Sequence, residues 1–145
     1  MKTVYLYTDG ACRGNPGPGG WAAILSFNGN EKILTGYSQN TTNNLMEMEG
    51  VIDGLNALTE PCQVEVFSDS QYVVSGASKW LDGWIRRGWV TVKGEPVKNA
   101  EQWRLIQHLI GVHQVNFHWI RGHNGHEKNE RCDALARAEI QRQYG

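Results

Sequence analysis

Two segments of this 145-residue sequence end alike, Tyr7-Thr8-Asp9-Gly10 and Phe67-Ser68-Asp69-Ser70. If the runs leading into them are parallel neighbours in one sheet, both aspartates emerge at its carboxyl edge, where α/β folds hold their ligands. The helix expected between them presents Glu47 and Glu49. Its apolar stripe centres near Met48, Val51 and Leu55, with Glu47 about 80° and Glu49 about 120° from that centre at 3.6 residues per turn. Glu47 is therefore expected to reach the sheet's edge and Glu49 to face water. Asp133 falls early in the last helix, near the positive end of its dipole. Carboxylates gathered in this way repel one another unless a divalent cation neutralises them, and oxygen-only ligands suit Mg²⁺, with Mn²⁺ as a substitute. Two such ions about 4 Å apart activate a water and stabilise the leaving oxygen in phosphodiester hydrolysis. Each acid taken singly also suits a cap or a turn, and spacing alone does not bring the four together.

The elements that must position these acids follow from periodicity. Val4, Leu6 and Thr8 alternate with Tyr5 and Tyr7, a strand pattern. The Gly- and Pro-rich stretch Gly10 to Gly20 reads as a shaped loop. Trp21 to Phe27 and Lys32 to Ser38 read as two further strands, joined through the hairpin signal Asn28-Gly29. Thr41 to Asn44 offer N-caps for a helix ending near Leu58, with Pro61 beyond it. Val64 to Ser68 is a fourth strand, followed by a helical stretch to about Gly88 and a loop from Trp89 to Asn99. Ala100 to Ile110 reads as a helix and Val115 to Ile120 as a fifth strand. Gly122 to Asn129 reads as a polar loop before a helix from about Glu130. Three strands on short turns followed by alternating helices and strands indicate an α/β sandwich on a mixed sheet, in one domain over residues 1–145.

Other residues bear on binding. Lys79, Arg86 and Arg87 interleave with Trp80, Trp84 and Trp89, a pattern that suits base stacking and phosphate contact as well as simple packing. Trp84 is expected in the core with Trp21, Trp103 and Trp119, and Trp80 partly at the surface. The Gly10–Gly20 segment lacks the Gly-Lys-Ser/Thr ending of a phosphate-binding P-loop. Its glycines suit close approach of backbone amides to a shallow minor groove, where 2′-hydroxyls mark RNA, or a purely structural loop. His123 lies among Gly and Asn rather than on an apolar face, and an unperturbed imidazole titrates near working pH. His126 suits loop structure or support of the site, and His108, His113 and His118 read as structural or exposed.

The bulk numbers exclude several classes. Hydrophobic residues make up 40% and charged residues 20%, an ordinary globular composition. No apolar run approaches the roughly 20 residues that span a bilayer, and Met1-Lys2-Thr3-Val4 reads directly into a strand, so neither membrane attachment nor a targeting peptide is expected. Cys12, Cys62 and Cys132 form no Cys-x-x-Cys pair, which argues against a disulfide framework and for a reducing cytoplasm. A zinc site from His123, His126 and Cys132 lacks paired-ligand spacing. Net charge is −1. Residues 29–69 carry a net −6 and residues 79–104 a net +3, one region suited to cations and another to phosphate, or two solvated faces.

The segments YTDGACRGNPGPGGWAAIL, TTNNLMEME, VFSDSQYVV, WIRRGW, PVKNAEQW and WIRGHNGHEKNERCDALA occur in this order along nearly the whole chain. In them the sequence resembles bacterial ribonuclease HI, of the type 1 ribonuclease H family. The resemblance implies a five-stranded mixed sheet, its first three strands antiparallel, flanked by helices. It implies a monomeric endonuclease that hydrolyses the RNA strand of RNA–DNA hybrids with two Mg²⁺ ions, leaving 5′-phosphate and 3′-hydroxyl ends. The family's metal-binding acids fall on Asp9, Glu47, Asp69 and Asp133, and its catalytic histidine on His123. Hybrid-contacting positions fall on Cys12 and Gly14, through backbone, and on Asn15, Asn43, Asn44 and Gln71. Thr42 matches a contact to DNA phosphate. The family's basic handle falls on Trp80 to Lys98, which includes Arg86 and Arg87, with Trp80 at a stacking position. Leu45, Glu49, Gly50 and Ile85 depart from the residues usual at their positions, but none removes an acid. A hybrid-binding module without catalysis and a related carboxylate nuclease acting on DNA are the rival readings.

Overall fold

The computed structural model describes residues 1–121 and 126–145, so His123 lies outside the described residues. Strands β1 (Thr3–Cys12), β2 (Gly17–Phe27) and β3 (Asn30–Thr41) form an antiparallel meander. Helix α1 (Asn43–Asn56) crosses to β4 (Gln63–Ser68), which pairs parallel with β1. A helical run follows as α2 (Gln71–Ser75), a five-residue π-turn (Gly76–Trp80) and α3 (Leu81–Arg86). Helix α4 (Ala100–Val112) leads to β5 (Gln114–Trp119), parallel to β4, and α5 (Glu127–Tyr144) closes the chain. The sheet order β3-β2-β1-β4-β5 is the expected mixed sheet with its first three strands antiparallel.

The period of two along each strand sorts its residues between two faces. Val4, Leu6, Ala23 and Leu25 join Met48, Val51 and Leu55 of α1 and Trp103 and Ile106 of α4 in the main core. Ala22 and Ile24, one residue out of phase, meet Cys132 and Ala136 of α5 on the opposite face. Helix α1 starts where the sequence indicates. Thr42 is its N-cap, and its hydroxyl oxygen accepts from the Leu45 amide at 3.2 Å.

The expected Gly10–Gly20 loop is mostly strand. β1 runs on to Cys12 and β2 begins at Gly17, with Gly10 opposite Trp21 and Ala11 opposite Gly20, so only residues 13–16 form the turn. Gly10 and Gly20 serve close packing rather than a turn. A Cβ on Gly10 would lie 2.6 Å from the Glu47 nitrogen and the Met46 carbonyl carbon, and one on Gly20 would lie 2.5 Å from the Ala136 carbonyl oxygen. Both faces of the sheet thus receive a helix backbone at distances only glycine allows.

Other expectations change with packing. β3 is longer than expected at both ends, because it stays paired with β2 from Asn30 to Thr41. Helix α5 begins at Glu127, inside the expected polar loop, so Asp133 sits in its second turn rather than near its dipole end. Trp103 is fully buried, but Trp119 is 43% exposed, because β5 is an edge strand. Trp21 is half-buried, lying across Gly36 of β3. Glu49 is half-buried rather than facing water, since it lines a hollow with Trp21, Tyr37 and Gln102. Burial, together with a hydrogen bond shared with Asp53, pushes its carboxyl up to about 7. His113 is buried and structural, as expected, its Nδ1 accepting from the Cys62 amide at 3.1 Å, while His118 is exposed against Glu65.

The tight seat of α1 on β1 yields a first expected outcome. Gly10→Ala should destabilise the protein by about 1–3 kcal/mol, because neither backbone at the contact can yield without strain. Urea denaturation checks it: an unchanged midpoint would mean that the helix can retreat from the strand freely.

Candidate active site

The parallel ladder between β1 and β4 ends at Tyr7 opposite Phe67. Asp9 and Asp69 each lie two residues further on, so the register sends both to the same edge. The Met46–Glu47 backbone lies directly over Gly10, which carries Glu47 to that edge from the α1 side. As a result Asp9, Glu47 and Asp69 each offer a carboxylate oxygen within 4.8 Å of the others. Asp133 comes from the opposite face on α5 and lines the same cleft as Asp9 and Asp69, with Ile120, Arg121, His126, Asn129 and Glu130. It is not within the tight trio. Its Oδ2 accepts from Arg137 Nη2 at 2.7 Å, one helical turn on.

Electrostatics at this edge is dominated by desolvation and like charge. Asp9 is only 7% exposed. Burial first, then the charges of Asp69 and Asp133, push its carboxyl up to about 7, against a hydrogen bond from the Gly10 amide that holds it down. Glu47 is pushed well above the ordinary carboxylate range by burial and then by Asp9 and Asp69. Its Oε1 is buried and has no hydrogen-bond partner among the described residues. A buried, unpaired acceptor facing two more carboxylates is a stable arrangement only with a proton or a cation between them. The donor set, all oxygen and negatively charged, fits a hard divalent ion such as Mg²⁺.

Of the expected hybrid-contacting residues, Asn15 and Asn43 hold each other. The Asn15 side-chain oxygen accepts from the Asn43 amide at 2.9 Å, which ties the β1–β2 turn to the start of α1. The Cys12 thiol donates to the Gly17 and Thr41 carbonyls at 3.5 and 3.4 Å. Gly14 has φ of +74°, a conformation open to glycine at no steric cost. Gln71 is exposed at the start of α2, two residues after Asp69, while Asn43 is exposed and Asn44 half-buried.

Further along, Lys79, Trp80, Trp84, Arg86, Arg87 and Lys93 line one open groove. Trp84 packs edge-on against the buried Trp103 at 5.3 Å between centroids, and Trp80 leans on Trp84 while remaining 42% exposed. Arg87 is spent partly on its own loop, since its Nε donates to the Val90 carbonyl at 3.2 Å. Lys98 is exposed, outside the residues lining that groove. Ile85, one of the residues that depart from those usual at their positions, is partly buried against the main core.

Two residues that touch the strand ends bearing the acids carry more than the sequence reading assigned. Trp119, expected in the core, donates its indole N–H to the Asp69 carbonyl at 3.0 Å and anchors that strand end. Asn129, expected in a loop, reaches the cleft from α5. Its one available signal was its position one helical turn before Asp133, which became visible once the helix was known to start at Glu127.

A family model for RNase H matches residues 1–141. The ribonuclease H of Brucella ovis is 54% identical over 97% of this chain and 92% of its own length. That of Cupriavidus pinatubonensis is 56% identical over 94% of this chain and 94% of its own. Among solved structures, LC9-RNase H1, a type 1 RNase H with the type 2 active-site motif, superposes with a TM-score of 0.86 at 29% identity, covering 99% of this chain and 74% of that one. LC11-RNase H1 in complex with an RNA/DNA hybrid superposes with a TM-score of 0.73 at 27% identity, over 98% of this chain and 99% of that one.

The raised Asp9 carboxyl fixes the sign of a stability measurement. Folding lifts it from its ordinary 3.8 to about 7, so its contribution is fully present below pH 4 and is lost as pH rises through 7. Without metal at pH 8, Asp9→Asn should therefore raise the melting temperature, by roughly 5 °C for a few kcal/mol relieved. The gain should vanish at pH 4 and shrink when Mg²⁺ stabilises the wild type. Equal melting temperatures at pH 8 in EDTA would show that the acids do not strain the fold.

Proposed function

This chain belongs to the ribonuclease H family, and on that premise we propose that it hydrolyses the RNA strand of RNA–DNA hybrids, leaving 5′-phosphate and 3′-hydroxyl ends. The observation that carries the reading is the convergence of Asp9, Glu47 and Asp69 within 4.8 Å at the carboxyl edge, with a buried Glu47 oxygen left unpaired among the described residues. Asp133 completes the set from α5 by exchanging part of its contact with Arg137 for the cleft it already lines. Two Mg²⁺ ions, or Mn²⁺ in their place, supply an activated water and a stabilised leaving oxygen when held by these four acids. His123 assists proton transfer or product departure.

The residues around the acids select and hold the hybrid. With the Thr42 oxygen accepting from Leu45, its hydroxyl proton is free for a DNA phosphate. With the Asn15 oxygen engaged by Asn43, its amide N–H groups are free for the minor groove, beside Asn43, Asn44, Gln71 and the backbone of Cys12 and Gly14. Trp80 gives a stacking surface, and Arg86, Arg87 and Lys98 give positive charge for phosphates. The enzyme acts as a monomer formed by one domain over residues 1–145. Its three free thiols suit a reducing cytoplasm, and no described helix is long and apolar enough to cross a membrane.

Parallel digestion of labelled hybrid, double-stranded RNA and double-stranded DNA, with and without EDTA, tests this reading. Metal-dependent cutting confined to the RNA strand of the hybrid is the expected result. Preferential cutting of DNA would support a DNA-acting relative instead, and binding without cutting a non-catalytic module. Asp69→Asn should abolish cleavage while hybrid is still bound, and more than roughly a tenth of the wild-type rate would contradict its role as a ligand. His123→Ala should lower kcat about 10- to 1,000-fold, the range of general acid–base groups. An unchanged kcat with a raised KM would show instead that His123 only binds.

A further inference from the structure

Asn129 is among the polar side chains that line the carboxylate cleft without a part in the reading above. Asn129 lies in the first turn of α5, and its Nδ2 donates to two carbonyls, Thr8 at 3.4 Å and Phe67 at 3.2 Å. These belong to different strands. Phe67 is the last β4 residue paired to β1, and Thr8 follows its partner Tyr7. A single side-chain amide therefore spans β1 and β4 where their own ladder stops. Asp9 follows Thr8 directly, and Asp69 lies two residues beyond Phe67.

The chemistry fixes which way this amide points. Carbonyls only accept, so the NH₂ group must face them and the Oδ1 must face away. That Oδ1 is buried and has no partner among the described residues. An unpaired buried acceptor costs about 1–3 kcal/mol, a penalty that an asparagine serving only as a cap or a surface residue does not incur. The same helix turn leads to Asp133, four residues on and on the same face. The Asn129 amide thus joins the three elements that deliver Asp9, Asp69 and Asp133. It does so where like charges drive those elements apart.

We infer that Asn129 is a positioning residue of the carboxylate site: by locking the ends of β1 and β4 to the start of α5 it sets the spacing at which the acids meet a cation. The inference rests on the metal-binding reading of the four acids. Loosening the lock leaves every ligand present but free to spread. The loss therefore appears in metal affinity and not in affinity for the hybrid.

The test titrates wild type and Asn129→Ala with Mn²⁺ alone by calorimetry. The variant should bind Mn²⁺ at least tenfold more weakly, as is usual when a group supporting metal ligands is removed, with hybrid KM at saturating Mg²⁺ within about twofold of wild type. Wild-type Mn²⁺ affinity in this variant overturns the inference. Asn129→Asp separates position from charge, because it adds a negative charge but removes the donor. It should bind more weakly than wild type, and tighter binding overturns the inference. Asn129→Ser covers the case in which the alanine variant fails to fold. Its amides at Gly10 and Ser70 should exchange faster than in wild type while those of Leu6 and Val66 do not, and unchanged exchange at Gly10 and Ser70 refutes the lock. Failure of the wild type itself to bind Mn²⁺ would refute the metal reading, and the exchange experiment would still decide whether Asn129 ties the strand ends.

Discussion

Like charge in a desolvated place is the constraint on which this structure turns. Three carboxylates meet within 4.8 Å, one of them with a buried oxygen that nothing among the described residues serves. In water such a cluster would separate. Here each acid is fixed by an element that cannot move without breaking something larger. Asp9 lies on β1 two residues beyond the ladder shared with β4 and is paired there with Ala22 of β2, Asp69 follows the last residue of β4, and Glu47 sits where α1 presses its backbone against Gly10. The raised carboxyls of Asp9 and Glu47 are the electrostatic trace of that enforced proximity. A site strained in this way is prepared for a divalent cation, which removes the repulsion the fold has stored.

The sheet serves as a wall with two different faces. One carries the main core, with Leu6, Val64 and Val66 against α1 and α4, and it delivers Glu47. The other packs Ala22 and Ile24 under Cys132 and Ala136 of α5, and that helix delivers Asp133. Acids from both faces reach a common edge because the helices lie unusually close to the sheet. Glycine at positions 10 and 20 makes that closeness possible, since a single methyl group would collide with helix backbone on either side. The ends of the strands are tied as well as packed. Trp119 holds the Asp69 carbonyl, and Asn129 holds Thr8 and Phe67.

The polar residues near the acids do double duty. Thr42 caps α1 with its oxygen and keeps a proton to donate, and Asn15 accepts from Asn43 and keeps its NH₂ group. Each is held by a hydrogen bond within the protein, and groups ordered in advance lose less entropy on binding. The tryptophan groove follows the same logic. Trp103 in the core fixes Trp84, and Trp84 supports the exposed Trp80. Ile85 belongs to the packing side of that segment rather than to its charged side.

Sequence alone determined the mixed sheet and the start of α1, because these rest on short-range patterns: alternation, a helical stripe, a threonine before a helix. It offered the acids only as candidates, and the β1–β4 register and the seat of α1 bring Asp9, Glu47 and Asp69 together. It also separated Glu47 from Glu49 by angle, and Glu47 does reach the edge. It misjudged Glu49, which is half-buried because Trp21 and Tyr37 of neighbouring strands rise beside it, and no property of the helix itself reveals them. It took the glycines of residues 10–20 for a loop, because composition cannot distinguish a glycine needed for a turn from one needed for the close approach of a distant helix. Trp119 was assigned to the core from its strand alone. Its exposure follows from β5 being an edge, which only the strand order decides. The role of Asn129 was likewise out of reach, since it depends on two carbonyls 121 and 62 residues away in the chain. Local patterns specify which groups are available. Register, strand order and the closeness of helix to sheet decide which of them meet.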